Sequence, residues 1–362
     1  MLIDQYPTIG GGQTVFLNVI RACLQGGISV TALFPHGGEL ERRMKAEFGN
    51  ELNIVDIKAL NLTRGRKGLV DFGKTFFFLI YFLKFLPLLK QHDFIYINGP
   101  RLFPAALFCS YFLKRRFIYH LHLEHTEREK RLVGWLASRP TTHRVIANSR
   151  FLYNQLCEFD PKLANNARFI MIENSLSPRL SALPFRNRFE QSDRFNVVTF
   201  GRISYEKGQD LILEMAGQFP DWNFFLAGIG EFAFEQDLRK RAPGNLTFLG
   251  EIEDIPETAT KLGLQISVVP SRASEAFGLV AIESMAGSCL TIASNQGELP
   301  NLAARTSALV FDSVSNLQLL LQNLQSRTVG ELQQIAHEQF SRTKEHFSFE
   351  SFAEKIQGVF QQ

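Results

Sequence analysis

Short apolar runs rich in Val, Ile and Phe alternate with longer segments of helical period, and the chain goes through this alternation twice. A strand-like run, a helical segment and another strand-like run make a βαβ unit, and several in series require a parallel sheet with helices on its faces. The first series places strands near Met1 to Asp4, Ile28 to Phe34, Leu52 to Ile57, Phe94 to Ile97, Arg116 to His122, His143 to Asn148 and Arg168 to Ile172. From Ser175 to Arg194 the periodicity is lost and Ser, Pro and Arg collect, as in a linker. It restarts with Phe195 to Phe200, Trp222 to Ala227, Leu246 to Leu249, Leu264 to Val269, Leu290 to Ala293 and Ala308 to Phe311. The 362 residues suffice for two domains of roughly 100 to 200 residues each. The expectation is two consecutive doubly wound α/β domains. Ligands then bind beyond the carboxyl ends of the strands, and facing domains would hold one in the cleft between them.

Composition narrows the setting. Cys23, Cys109, Cys157 and Cys289 are scattered without CxxC spacing, so neither a zinc site nor a disulfide framework is indicated, and a reducing cytoplasm is expected. Polar residues follow Met1-Leu2-Ile3 at once, so no signal peptide is expected. The formal charge of +3 conceals a division: up to Phe185 there are 24 Lys and Arg against 14 Asp and Glu, a balance of +10, and beyond it 15 against 22, or −7. A basic half suits an anionic surface or acceptor; ordinary variation among solvated faces is the alternative. That half also holds two apolar stretches, Phe76 to Leu83 and Leu102 to Leu113, the second ending at Lys114-Arg115-Arg116. Neither reaches the roughly 18 to 20 apolar residues that span a bilayer. Both are expected to be core helices. Aromatic helices beside Arg64, Arg66, Lys67, Arg115 and Arg116 are also what interfacial attachment to anionic lipid requires.

The chemistry-bearing segments fall where strands end. Behind the run Leu264 to Ser271, Glu275 lies in a loop, Phe277-Gly278-Leu279 opens a helix, and Glu283 lies inside it. A helix start offers unpaired N–H groups and a positive dipole end to phosphate, and carboxylates on either side accept hydrogen bonds from sugar hydroxyls. Phosphate between two sets of hydroxyls describes a nucleotide-sugar; solvated helix-end carboxylates are the plain alternative. Phe200-Gly201-Arg202 to Lys207-Gly208 sets two cations five apart across a loop, where they can converge on one anion. Pro7 to Gln13 carries Gly10, Gly11 and Gly12, which let a backbone approach a ligand closely. It is not a dinucleotide fingerprint, because Val15 stands where the third Gly would fall. Gly228-Ile229-Gly230-Glu231 and Gly250-Glu251-Ile252 would line the same rim. In His120-Leu121-His122 alternation puts both rings on one face, but no further ligand cluster is apparent, and a single strand-end His facing the cleft is the preferred reading. There is no Asp-x-Asp pair to grip a metal-bound diphosphate and no P-loop.

Taken together, these segments resemble the retaining glycosyltransferases of the GT-B fold, most closely the large family four that includes sucrose-phosphate synthase and many bacterial capsule and lipopolysaccharide enzymes. The matching pieces are Gly11-Gly12-Gln13, Gly201-Arg202 with Lys207-Gly208, Gly228 to Glu231, Val269-Pro270-Ser271, and Glu275 to Glu283 as an E-x7-E element. The resemblance implies two facing Rossmann-like domains, residues 1–176 on the acceptor side and 195–346 for the nucleotide-sugar, with 177–194 as linker and a closing helix at about 347–362 packed on the first domain. It further implies that Arg202 and Lys207 neutralise the diphosphate and that the backbone of Phe277, Gly278 and Leu279 contacts phosphate and donor sugar. Glu283 would bind the ribose, Glu275 the hexose hydroxyls, Gly11 and Gly12 the phosphate, with Gly230 on the rim, Ile252 facing the base and His120 beside the sugar.

The expected activity is transfer from a nucleotide-diphosphate sugar, with retention and without metal or other cofactor, to a glycan or lipid-linked acceptor of cell-surface polysaccharide. The expected location is cytoplasmic, with peripheral contact at the inner membrane face through the basic domain and no nucleic-acid partner. A nucleotide-sugar epimerase on the same scaffold and a non-catalytic nucleotide-sugar or membrane-binding protein are the alternatives.

Overall fold

The computed structural model describes residues 1–58, 69–113, 115–190 and 194–361. The chain divides into two compact units, Met1–Asn174 with Glu350–Gln362, and Ser175–Phe349. The first contains β1 (Leu2–Ile3), β2 (Val30–Phe34), β3 (Leu52–Asp56), β4 (Phe94–Asn98), β5 (Arg116–Leu121), β6 (Thr142–Ala147) and β7 (Phe169–Met171). They form one sheet in the order β3-β2-β1-β4-β5-β6-β7. The second contains β8 (Asn196–Phe200), β9 (Asn223–Ala227), β10 (Leu246–Gly250), β11 (Ile266–Val269), β12 (Leu290–Ser294) and β13 (Leu309–Phe311), in the order β10-β9-β8-β11-β12-β13. All pairings between these strands are parallel.

Each run expected to be a strand is one, its ends moved by no more than a residue or two. The reason is burial on both faces: every residue of β2 and β12 is buried, and such strands read as continuous apolar runs. In each sheet the winding reverses once, between β1 and β4 and between β8 and β11. Loops leaving the two central strands then diverge to opposite faces and open a crevice at their carboxyl ends.

Two segments depart from a simple pair of lobes. Residues 177–194, expected to link the domains, lie within the second unit. Pro178–Ala182 form a short helix capped by the Ser177 side chain, Phe189 joins the core, and the buried Arg188 guanidinium donates to the carbonyls of Leu264 and Gly287. At the other end, the helix Phe349–Gln361 packs on the first unit. Phe360 meets Phe94 edge-on at 5.5 Å, Gln357 Nε2 donates to the Ala22 carbonyl at 2.9 Å and His143 Nε2 to that of Val359 at 2.8 Å.

The apolar stretches of the first unit form the helices Leu69–Phe82 and Phe103–Phe112. Each buries one side, through Phe78 and Phe82 in the former and Phe103, Ala106 and Cys109 in the latter. Arg64, Arg66, Lys67 and Lys114 lie outside the described residues. Among the described residues no helix is long and apolar enough to cross a membrane.

Candidate functional site

The sequence-selected segments of the second unit gather at its switch point. After β8 the chain turns through Gly201, at φ +118°, and the following loop is stitched to the loop after β9: Ile203 N–H donates to Ile229 O and Glu231 N–H to Ile203 O, both at 3.1 Å. Gly230 lies so close to Ile203 that a Cβ there would collide with it. Arg202 is exposed, and its side chain has no hydrogen-bonding partner among the described residues. The loop closes in a 3-10 turn, Tyr205–Lys207, ended by Gly208 at φ +72°. A Cβ on Gly208 would strike the Pro270 carbonyl, so this glycine seats the β8 loop against the end of β11. Two further bonds fasten the loops, from Arg272 N–H and Ala273 N–H to Glu206 O at 2.8 and 3.1 Å.

This fastening delivers Lys207 to Glu275. The ammonium donates to Glu275 Oε1 at 2.5 Å, and Ser271 Oγ donates to the same oxygen. The Glu275 backbone is itself held, since Glu298 N–H donates to its carbonyl at 2.8 Å. Gly297, at φ +61°, has no room for a Cβ against it. Three residues on, Gly278 adopts φ +98° and opens the helix Leu279–Ala286. No side chain caps this start and no acidic residue sits in the first turn, which leaves the positive end of the helix to an external anion. The Phe277 ring is buried against Phe347, Gly278 is buried and Leu279 is half-buried. Glu283 is half-buried within the helix. Ile252 is half-buried beyond β10, packed against the cluster of Val198, Phe200 and Ala227.

The switch point of the first unit carries a second constellation. The helix Gly11–Gln25 begins at Gly10 without a side-chain cap and without an acid in its first turn, and Gly11 is exposed. Gln13 turns back to Asp4 at the end of β1, donating to its two carboxylate oxygens at 3.2 and 3.1 Å. Asn98, the last residue of β4, donates through Nδ2 to Asp4 and, at 3.1 Å, to the Gly12 carbonyl. Its Oδ1 lies 2.6 Å from His122 Nε2.

His120 does not occupy the position expected of it. Its ring is fully buried, with Nδ1 2.6 Å from the Tyr96 hydroxyl. His122 is the residue against Gly12, 4.0 Å from where a Cβ would stand. The physical reason is where the strand stops: β5 ends at Leu121, so His120 is still enclosed between its neighbours and His122 is the first residue beyond. Burial, and then the neighbouring His125, lowers the His122 pKa to about 3. Burial, and then His122, takes His120 well below the ordinary imidazole range.

Asp4, Tyr96 and Asn98 were not singled out in the sequence, and Ser271 stood there only as part of the matching Val269-Pro270-Ser271 piece, with no role of its own. Their signal was positional: Asp4, Asn98 and Ser271 are polar residues at or just past the ends of the central strands β1, β4 and β11. Among the described residues no group of three His, Cys, Asp or Glu side chains could hold a metal ion.

Comparison with known proteins bears on the fold. Residues 184–324 match the model of the family described as glycosyl transferases group 1. A stretch of 96 residues is 29% identical to the phosphatidyl-myo-inositol mannosyltransferase of Mycolicibacterium smegmatis, and the match spans 25% of this chain and 24% of that protein. Anabaena HepE, solved in complex with UDP and glucose, superposes with a TM-score of 0.80 at 17% identity over 100% of this chain and 98% of its own. Sucrose-phosphate synthase from Thermosynechococcus elongatus superposes with a TM-score of 0.78 at 18% identity, over the same shares. The fold is therefore GT-B: two Rossmann-like units, each a parallel sheet covered by helices.

Proposed function

We propose that this protein is a glycosyltransferase that moves a sugar from a nucleotide-diphosphate sugar to an acceptor. The observation that carries the reading is the junction of Lys207 and Glu275, 2.5 Å apart at the switch point of the second sheet, beside an uncapped helix start opened by Gly278. A leaving diphosphate gathers negative charge as the glycosidic bond breaks, and cations fixed beforehand stabilise that charge without reorganising during the reaction. Lys207 supplies a point charge and Arg202 a fork of donors with no competing partner among the described residues. The N–H groups at Gly278 and Leu279 meet phosphate, Glu275 accepts from hexose hydroxyls, Glu283 from ribose, and Gly230 and Ile252 border the base side. On the first unit taken by itself, Gly11 and Gly12 are the candidates for phosphate and His122, in place of His120, for a sugar. Transfer with retention and without metal fits this set, because the cations take the role a divalent ion would have.

The match to the group 1 family over residues 184–324 supports the donor half of this reading, and the UDP and glucose bound to Anabaena HepE support a UDP-sugar as the first donor to try. The likeness to a phosphatidyl-myo-inositol mannosyltransferase supports a lipid-linked acceptor, which suits a basic first half at the cytoplasmic face of a membrane and a role in cell-surface glycan synthesis.

The experiment is a thermal-shift screen against UDP-, GDP- and ADP-sugars, followed by transfer assays with Arg202→Ala and Lys207→Ala. A sugar nucleotide at a hundredfold excess over its dissociation constant stabilises the fold by about 2.7 kcal/mol. Either substitution is expected to cut transfer by about a hundredfold or more in a protein that still melts cooperatively. No shift with any nucleotide-sugar, or near-normal turnover in both variants, refutes the proposal. Donor consumption without acceptor, giving an isomerised sugar, would identify an epimerase instead.

A further inference from the structure

The helix Leu69–Phe82 buries Phe78 and Phe82 and turns an equally apolar face to water. Phe76, Phe77 and Ile80, with Leu83 in the turn that follows, recur at helical spacing and are 55%, 70%, 49% and 42% exposed. The neighbouring helix Phe103–Phe112, joined to it by the edge-to-face contact of Phe82 and Phe108, leaves Tyr111 and Phe112 at 64% and 70%. Exposed apolar side chains scattered singly need no explanation, but five on two adjoining helices, with Leu83 in the turn after the first, do.

The charge of the sequence segment that carries them points to what they meet. Residues 58–116, which contain both helices, hold 11 Lys and Arg against two acids, Asp71 and Asp93, a balance of +9 in a chain whose total is +3. Lys74, Lys84, Lys90 and Arg116 are exposed. Lys84 stands over the Tyr81 ring at 4.1 Å, and the Arg139 guanidinium lies 5.0 Å from the rings of both Tyr111 and Trp135. Aromatic rings flanked by cations at the rim of an apolar face suit the boundary between lipid headgroups and acyl chains. A second copy docking through the same face would bring two strongly positive segments together, which disfavours self-association.

We propose that this face of the first unit docks on an anionic lipid bilayer, with Phe76, Phe77 and Phe112 entering the headgroup boundary and the surrounding lysines and arginines pairing with lipid phosphates. It deepens the membrane part of the proposed function and does not depend on the identity of donor or acceptor.

The test is co-sedimentation of the full chain with phosphatidylcholine vesicles with and without phosphatidylglycerol. Trp222 is buried in the second unit, so a vesicle-dependent change in tryptophan emission reports on Trp135, the only other tryptophan. Expected are binding to the anionic vesicles only, weakening with salt, and at least a tenfold loss in the double variant Phe77→Ser, Phe112→Ser. That variant should keep the wild-type melting temperature and any thermal shift with a nucleotide-sugar, because both side chains point away from the core. Failure to bind anionic vesicles, equal binding to neutral ones, or binding unaffected by the double substitution would each overturn the proposal. So would a concentration-dependent dimer in ultracentrifugation that the variant abolishes, which would make a second copy the occupant. Loss of the nucleotide-sugar shift in wild type would strike the proposed function and leave the docking face standing.

Discussion

Lys207 and Glu275 form a contact that stability alone does not demand. The lysine side chain is 35% exposed and the glutamate 16%, and pairs of this kind typically contribute about 0 to 1 kcal/mol. Lys207→Met is therefore expected to change the unfolding free energy in urea by no more than about 1 kcal/mol, while transfer falls at least as far as in the alanine variant. A large loss of stability with activity retained would make the pair a structural one. His122 is fixed by a different logic. Asn98 Nδ2 is committed to Asp4 and to the Gly12 carbonyl, so its Oδ1 must face His122, and an amide oxygen only accepts. The proton of the imidazole thus sits on Nε2, and Nδ1, buried and without a partner among the described residues, is left as an acceptor. The same burial sets a pH dependence. His122 titrates near 6.5 when unfolded and at about 3 when folded, so the native state binds fewer protons between those values. The stabilisation is complete above pH 6.5 and is lost progressively as pH falls towards 3. Asp4 opposes this, because burial raises its carboxyl above 3.8. Melting temperature measured against pH is expected to fall on the acid side in wild type and less steeply in His122→Gln; identical profiles would mean that the ring does not titrate as its burial implies.

Loops, more than helices or strands, place the candidate site, and glycines make their close approaches possible. Gly208 combines φ +72° with direct contact on Pro270, so Gly208→Ala is expected to cost about 1 to 3 kcal/mol and to slow transfer by displacing Lys207. Gly217, in the helix Gln209–Gln218, has open space where a Cβ would go. Gly217→Ala should leave transfer unchanged and stabilise by about 0.5 kcal/mol. Equal effects in urea denaturation would contradict this assignment. The strands were legible in the sequence because parallel strands buried on both faces are continuous apolar runs, and the site loops because glycines and charges cluster just after those runs. What could not be read was burial of polar groups by tertiary partners. Arg188 marks a linker by composition, yet it is 3% exposed and bonded to two carbonyls of the second unit. In the pair His120 and His122, alternation gives a common face, but only the end of β5 at Leu121 decides which ring stays enclosed.

At the scale of the whole molecule, the first unit is not built from consecutive sequence. Its last helix, Phe349–Gln361, comes from beyond the second unit and buries Phe352, Ile356, Val359 and Phe360 at 3%, 0%, 4% and 8% exposure. Buried side chains of this size contribute about 1.5 to 3 kcal/mol each, so the four together approach the roughly 5 to 15 kcal/mol that holds a whole domain folded. The Gln357 and His143 hydrogen bonds would be lost with them. A chain ending at Phe349 is therefore expected to keep the second unit, including Arg202, Lys207 and Glu275, and to lose the first. In calorimetry the truncated chain should show one cooperative transition, of the size expected for the second unit alone, and fragments of residues 1–174 should be cleared early in limited proteolysis. The second unit should still show a thermal shift with the nucleotide of the donor, since the residues proposed to hold it lie within residues 175–349, while transfer is abolished. Retention of transfer by the truncated chain would mean that the first unit stands without its C-terminal helix and that the long return of the chain serves some other end.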